Sequence, residues 1–80
     1  MARLLCVDDD ASVGELIGSF FGMHGFEVTN VENGNDMRAA IAAGGVDVIL
    51  LDLGLPGEDG LDLARQLRAS SNIPLLIVSG

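Results

Sequence analysis

Apolar and polar positions along the chain fall into blocks with two different periods. Arg3 to Val7 contains the continuous apolar run Leu4-Leu5-Cys6-Val7, which predicts a strand covered on both faces and stops at Asp8-Asp9-Asp10. Val13, Leu16, Ile17, Phe20 and Phe21 follow at spacings of three and four, the stripe of an amphipathic helix. Its start has two candidate caps, Asp10 and Ser12, and Ser12 with Glu15 makes a capping box. Gly25, after His24, is its expected stop. From Phe26 to Val31 apolar residues alternate with Glu27 and Thr29, as in a half-covered strand. Asn33-Gly34 reads as a turn. Met37, Ala40 and Ile41 then share one helix face that runs out at Gly44-Gly45. Val46-Asp47-Val48-Ile49-Leu50-Leu51 is the strongest strand signal in the chain, β-branched and almost unbroken, and it ends at Asp52. Leu53 to Gly60 is a loop with Pro56 and Gly57. Leu63, Ala64 and Leu67 mark a third helix ending near Ser70-Ser71-Asn72. Ile73-Pro74 leads into the last run, Leu75-Leu76-Ile77-Val78, which stops at Ser79-Gly80.

The predicted order is βαβαβαβ. Strands joined by helical crossovers form a parallel sheet with right-handed connections and helices on both faces, a doubly wound α/β architecture. Ligands of such sheets bind beyond the carboxyl ends of the strands, where chain order reverses. Asp8 and Asp9 end the first strand, Asp52 the third and Ser79 the fourth, so all four fall at the expected edge. With the first and third strands adjacent, their ends lie ~4.8 Å apart and three carboxylates share one pocket. At an effective dielectric near 20, a pair about 5 Å apart repels by roughly 3 kcal/mol before salt screening. The cluster therefore calls for a cation or raised pKa values. Oxygen-only ligands without His or Cys favour a hard ion, and Mg²⁺ takes one or two carboxylates while leaving room for phosphate oxygens.

Composition narrows the picture. Twelve acidic residues against four basic ones give a net charge of −8, and the four cations, Arg3, Arg38, Arg65 and Arg68, do not form a nucleic-acid surface. Hydrophobic residues at 49% exclude intrinsic disorder. No apolar stretch approaches the ~18 residues of a membrane span. The N-terminus turns acidic too soon for a signal peptide. A lone Cys6 excludes an internal disulfide and suits the reducing cytoplasm. Residues 1–80 make one domain, and a core this small is marginal by itself.

Five segments taken together resemble the receiver domain of two-component response regulators. They are Leu4-Leu5-Cys6-Val7-Asp8-Asp9-Asp10, Gly25-Phe26-Glu27-Val28, Asp47-Val48-Ile49-Leu50-Leu51-Asp52-Leu53, Leu55-Pro56-Gly57-Glu58-Asp59-Gly60-Leu61 and Ile73-Pro74-Leu75-Leu76-Ile77-Val78-Ser79-Gly80. The resemblance implies a flavodoxin-like (CheY-like) fold and a role for each matching position. Asp52 would be the phosphoacceptor, attacking a phosphohistidine on a sensor histidine kinase or phosphotransfer protein. Asp9 would ligate Mg²⁺ directly, Asp8 through water, and Gly54 through its backbone carbonyl. Ser79 would be the switch hydroxyl bonding the phosphoryl, and Gly80 the small residue keeping the site open. Such a chain is a phosphoacceptor assisting its own chemistry rather than an enzyme. The loop Leu53 to Leu61 is similar to that of receivers attached to winged-helix DNA-binding domains, which implies a transcriptional output through another domain, with no nucleic-acid contact by this chain itself.

Two departures stand out. Gly54 replaces a larger residue that partly covers the phosphosite, so the acyl phosphate is expected to be shorter-lived. The family's fold continues with a fourth helix, a fifth strand ending in a phosphoryl-contacting lysine, and a fifth helix, whereas this sequence stops at Gly80 and has no lysine. The expectation is a single receiver truncated after the fourth strand, with an apolar edge at Leu75 to Val78 and an uncovered surface at Leu16, Phe20 or Phe21. It would self-associate as a homodimer or by domain swapping. Two other readings stand beside it: an incomplete receiver serving only as an interaction or dimerisation module, and a magnesium-dependent enzyme acting on free substrates, for which no substrate pocket or second acid/base motif is present. Bland readings cover the remaining residues. Cys6 reads as a small buried hydrophobe, His24 as a helix-terminal residue, Glu58 and Asp59 as solvated loop acids, and Phe20-Phe21 as core.

Overall fold

The structure, a computed structural model, describes residues 1–78; the expectations placed on Ser79 and Gly80 lie outside them. Seven elements follow one another: β1 (Ala2–Val7), α1 (Ala11–Met23), β2 (Phe26–Val31), α2 (Gly34–Ala43), β3 (Val48–Asp52), α3 (Gly60–Ser70) and β4 (Leu75–Val78). The four strands form one parallel sheet in the order β2-β1-β3-β4. Chain order reverses at β1, so β1 and β3 are neighbours and the switch point lies at their carboxyl ends.

Alternation along the strands sorts side chains onto two faces. Leu5 and Val7 of β1 and Ile49 and Leu51 of β3 point to the side covered by α2 and α3. There they pack with Met37, Leu63, Ala64, Leu67 and the loop residue Leu55. Val7, Ile49 and Leu51 have no exposed surface, and burying a side chain of this size contributes about 1.5–3 kcal/mol. Leu4 and Cys6 point to the opposite face, which α1 covers. Gly14 sets the approach of α1 to β2, since a Cβ there would lie 3.0 Å from Asn30 Oδ1.

Local chemistry shifts several predicted boundaries. Asp10 caps α1 by accepting from Ser12 N at 2.9 Å, which puts Ser12 inside the helix; the Ser12–Glu15 capping box does not form because Asp10 already takes the first free N–H. His24 ends α1, and Gly25 follows at φ +87°. Asn33 is the N-cap of α2 and Gly34 its first residue, so the expected turn is a helix start. β3 begins at Val48 rather than Val46. Before it, Asp47 N donates to Arg3 O at 2.9 Å and Arg3 N donates to Asp47 Oδ2 at 2.7 Å, tying the approach to β3 against the start of β1.

The aromatic pair divides between the two expectations placed on it, core and uncovered surface. Phe21 is half-buried and meets Phe26 edge-on, with ring centroids 5.4 Å apart, but Phe20 is 56% exposed and is not core. Leu16 lies beside it, 71% exposed. One turn separates these two positions, so the outer stripe of α1 is a continuous apolar surface facing away from the sheet. Leu76, Ile77 and Val78 of β4 are exposed as well.

Candidate functional site

The register of the sheet builds the site. Val7 of β1 lies opposite Leu51 of β3, so the next residues, Asp8 and Asp52, leave the same edge side by side. Asp8 N donates to Val31 O at 3.0 Å, which fixes the chain just past β1 before it turns into α1. Asp9 follows on that turn. Oxygens of Asp8, Asp9 and Asp52 all lie within 4.8 Å of one another. The three carboxylates predicted to converge do so. Asp8 and Asp52 are half-buried, and Asp9 is exposed.

Backbone amides hold two of these carboxylates in place. Asp10 N donates to Asp8 Oδ1 at 2.9 Å, and Gly54 N donates to Asp52 Oδ1 at 2.9 Å. The second bond folds the loop after β3 back over its own strand end, setting Gly54 beside the cluster. A Cβ at position 54 would rest 3.5 Å from Asp52 Oδ1. Any side chain there would stand against the carboxylate, and glycine leaves that flank open.

The electrostatics match the crowding. Burial pushes the Asp8 carboxyl above its ordinary range; the amide of Asp10 opposes this, and the charges of Asp52, Asp9 and Asp10 add to it. Cys6, one residue inside the strand, is pushed up to about 11 by burial and then by Asp8 and Asp52. It is 1% exposed, the inert apolar residue expected from the sequence. Among the described residues the one ion pair, Arg3 with Glu27 at 3.2 Å, lies at the opposite edge of the sheet. An open groove of about 400 Å³ beside the cluster is lined by Asp8, Asp10, Glu15, Asn30, Glu32 and Asp36, which adds negative charge rather than balancing it. A cluster of oxygen donors at this spacing, with no cation of its own, fits a hard divalent ion such as Mg²⁺.

Two residues read as solvated loop acids are anchors instead. Asp59 caps α3, its Oδ1 accepting from Leu61 N at 3.0 Å. Glu58 is half-buried and accepts from Gly34 N with both oxygens, at 3.1 and 2.9 Å. The signal for Asp59 was present in its place directly before Gly60 and an apolar helical stripe. Glu58 had none, because its partner is 24 residues away.

Comparison with known proteins agrees with the geometry. A family model for the response regulator receiver domain matches residues 4–80. The chain is 39% identical over 80 residues to the regulatory protein VirG of Agrobacterium tumefaciens (strain 15955), covering all of this chain and 30% of that protein. The chain thus spans about a third of the curated relatives it matches. Among solved structures it superposes on the receiver domain of TorR, the response regulator of a TMAO respiratory system, with a TM-score of 0.94 at 32% identity, over 100% of this chain and 67% of that one. It is also similar to the response regulator TrrA of Thermotoga maritima, solved with Mg²⁺–BeF (TM-score 0.90, 29% identity, 99% of this chain and 70% of that one). TrrA has been solved in complex with the histidine kinase ThkA too.

Proposed function

Because the chain belongs to the response regulator receiver domain family, we propose that Asp52 is its phosphoacceptor, taking a phosphoryl group from a histidine kinase or phosphotransfer protein with Mg²⁺ at the site. The observation that carries this is the convergence of Asp8, Asp9 and Asp52 within 4.8 Å at the switch point of the sheet. Asp8, Asp9, Asp52 and the Gly54 carbonyl would hold the ion. When bound, it masks carboxylate charge and stabilises charge on the transferring phosphoryl.

The residues of the chain do the rest. Gly54 N holds one oxygen of Asp52 and so fixes the carboxylate plane, leaving the other oxygen to react. That oxygen forms a bond to phosphorus as the P–N bond to the donor imidazole breaks; the imidazole keeps the bonding pair and takes up a proton. The product is an acyl phosphate on Asp52. The hydroxyl of Ser79 is assigned to bond the phosphoryl by family resemblance, and its position lies outside the described residues. The complex of TrrA with a kinase supports a kinase partner here, and the likeness to VirG supports an output in regulation, which we read as transcriptional. No helix among the described residues is long and apolar enough to cross a membrane, and we place the chain in the cytoplasm. We assign to its exposed β4 edge a second property, pairing with another copy.

The test is incubation with acetyl phosphate and Mg²⁺ followed by intact-mass measurement. A phosphate increment in the wild-type chain that disappears in Asp52→Asn is the expected result. An increment that survives Asp52→Asn would overturn the assignment. No increment in either would favour the reading as an interaction module.

A further inference from the structure

Gly34 and Glu58 meet in a way that neither local sequence explains. The first N–H groups of a helix have no partner within it. In α2, Asn33 Oδ1 takes Asp36 N at 2.8 Å, but Gly34 N is taken by Glu58, which comes from the loop between β3 and α3. The contact uses both carboxylate oxygens and sits at the positive end of the helix, a charge-assisted arrangement. It also requires glycine, because a Cβ at position 34 would overlap Glu58 Oε1.

The same loop carries Gly54. Its path is pinned on one side by Leu53 N donating to Val78 O at 3.1 Å. On the other side Leu55 is buried in the core, and Glu58 N donates to Leu55 O at 3.3 Å across a turn with Gly57 at φ +71°. Gly54 is the exposed residue between these anchors. Among the described residues, Glu58 makes the hydrogen bond that ties the far end of this loop to α2.

We propose that Glu58 is a positioning residue for the metal site: by accepting Gly34 N with both carboxylate oxygens it holds the β3–α3 loop so that Gly54 stays beside the aspartate cluster, where its carbonyl would serve the ion. This inference rests on the assignment of Mg²⁺ to the aspartate cluster. A ligand carbonyl on an unclasped loop must be ordered when the ion binds, and that cost appears as lost affinity.

Two substitutions separate reach from charge. Glu58→Asp keeps the charge but is one methylene too short to span to Gly34; Glu58→Gln keeps the length and an acceptor but loses the charge. The first readout is amide hydrogen exchange at Gly34 in the metal-free chain, which is expected to be protected in wild type and Glu58→Gln and to lose protection in Glu58→Asp. The second is calorimetric titration with Mg²⁺ at a temperature where all three chains are folded by circular dichroism. There Glu58→Asp is expected to bind about tenfold more weakly, in the range typical of residues that orient metal ligands, and Glu58→Gln to stay close to wild type. Wild-type affinity in Glu58→Asp would overturn the inference, even with a lower melting temperature, since the contact would then only cap α2. Equal losses in both variants would overturn it as well. Failure of the wild-type chain to take up Mg²⁺ would overturn the metal assignment itself, and this inference with it.

Discussion

At the scale of single residues, Asp8 illustrates what crowding does to a carboxylate at the strand ends. Its carboxyl is raised by burial and by its acidic neighbours, so the folded chain holds a proton there more tightly than the unfolded chain does. The stability that this proton contributes is present below the unfolded carboxylate range and is lost as pH rises through the raised value. Asp8→Asn keeps the amide contact geometry and removes the charge. The metal-free variant should melt at a higher temperature than wild type at pH 7, while Mg²⁺ titration should show weaker binding; a lower melting temperature would contradict the crowding. Gly54 acts through what it lacks. A Cβ there would lie 3.5 Å from Asp52 Oδ1, so Gly54→Met should shield the acyl phosphate from water and lengthen its half-life in a dephosphorylation time course. An unchanged half-life would show that the open flank is not the route of attack.

At the scale of elements, caps and loop anchors set the boundaries more than propensity does. α1, α2 and α3 each start on a side-chain oxygen, from Asp10, Asn33 and Asp59. Asp59 is the most telling, since α3 supplies Leu63, Ala64 and Leu67 to the core. Asp59→Ala should cost about 1 kcal/mol of stability in urea unfolding, the usual loss for a cap, and Ser12→Ala, which removes no cap, should cost almost nothing. Gly60 shows a different constraint. A Cβ there would lie 2.6 Å from Leu53 Cα, so α3 can begin this close to the end of β3 only with glycine at its first position.

At the scale of the whole molecule, two apolar surfaces compete with a strongly negative charge. The outer stripe of α1 exposes Leu16 and Phe20, and β4 exposes Leu76, Ile77 and Val78 at the edge of the described sheet. Beside β4, a groove of about 460 Å³ is lined by Leu61, Ala64, Leu75 and Ile77 together with Arg65 and Arg68. An apolar edge strand templates pairing with another chain, whereas −8 on each copy opposes it. Association should therefore strengthen with salt, which screens the repulsion. Sedimentation velocity at micromolar concentration should show dimers that increase with added salt and fall away in Leu76→Glu. A monomer under all these conditions would remove the edge-pairing reading.

Sequence by itself determined the element order, the parallel architecture and the identity of the three clustered aspartates. These follow from local periodicity and from one rule of topology: strands linked by crossovers present their carboxyl ends on one edge, and Asp8, Asp9 and Asp52 stand at those ends. Register is not local, and only the tertiary structure decided that Val7 lies opposite Leu51 and so brings the carboxylates within 4.8 Å. It also decided that Phe20 faces outward although its spacing suits a core stripe, because the sheet has one inner side to offer α1 and the half-buried Phe21 occupies it. Glu58 marks the limit most clearly. A loop acid and a helix N-terminus 24 residues apart leave no shared pattern in the chain, and their bond exists because the sheet sets α2 beside the loop after β3.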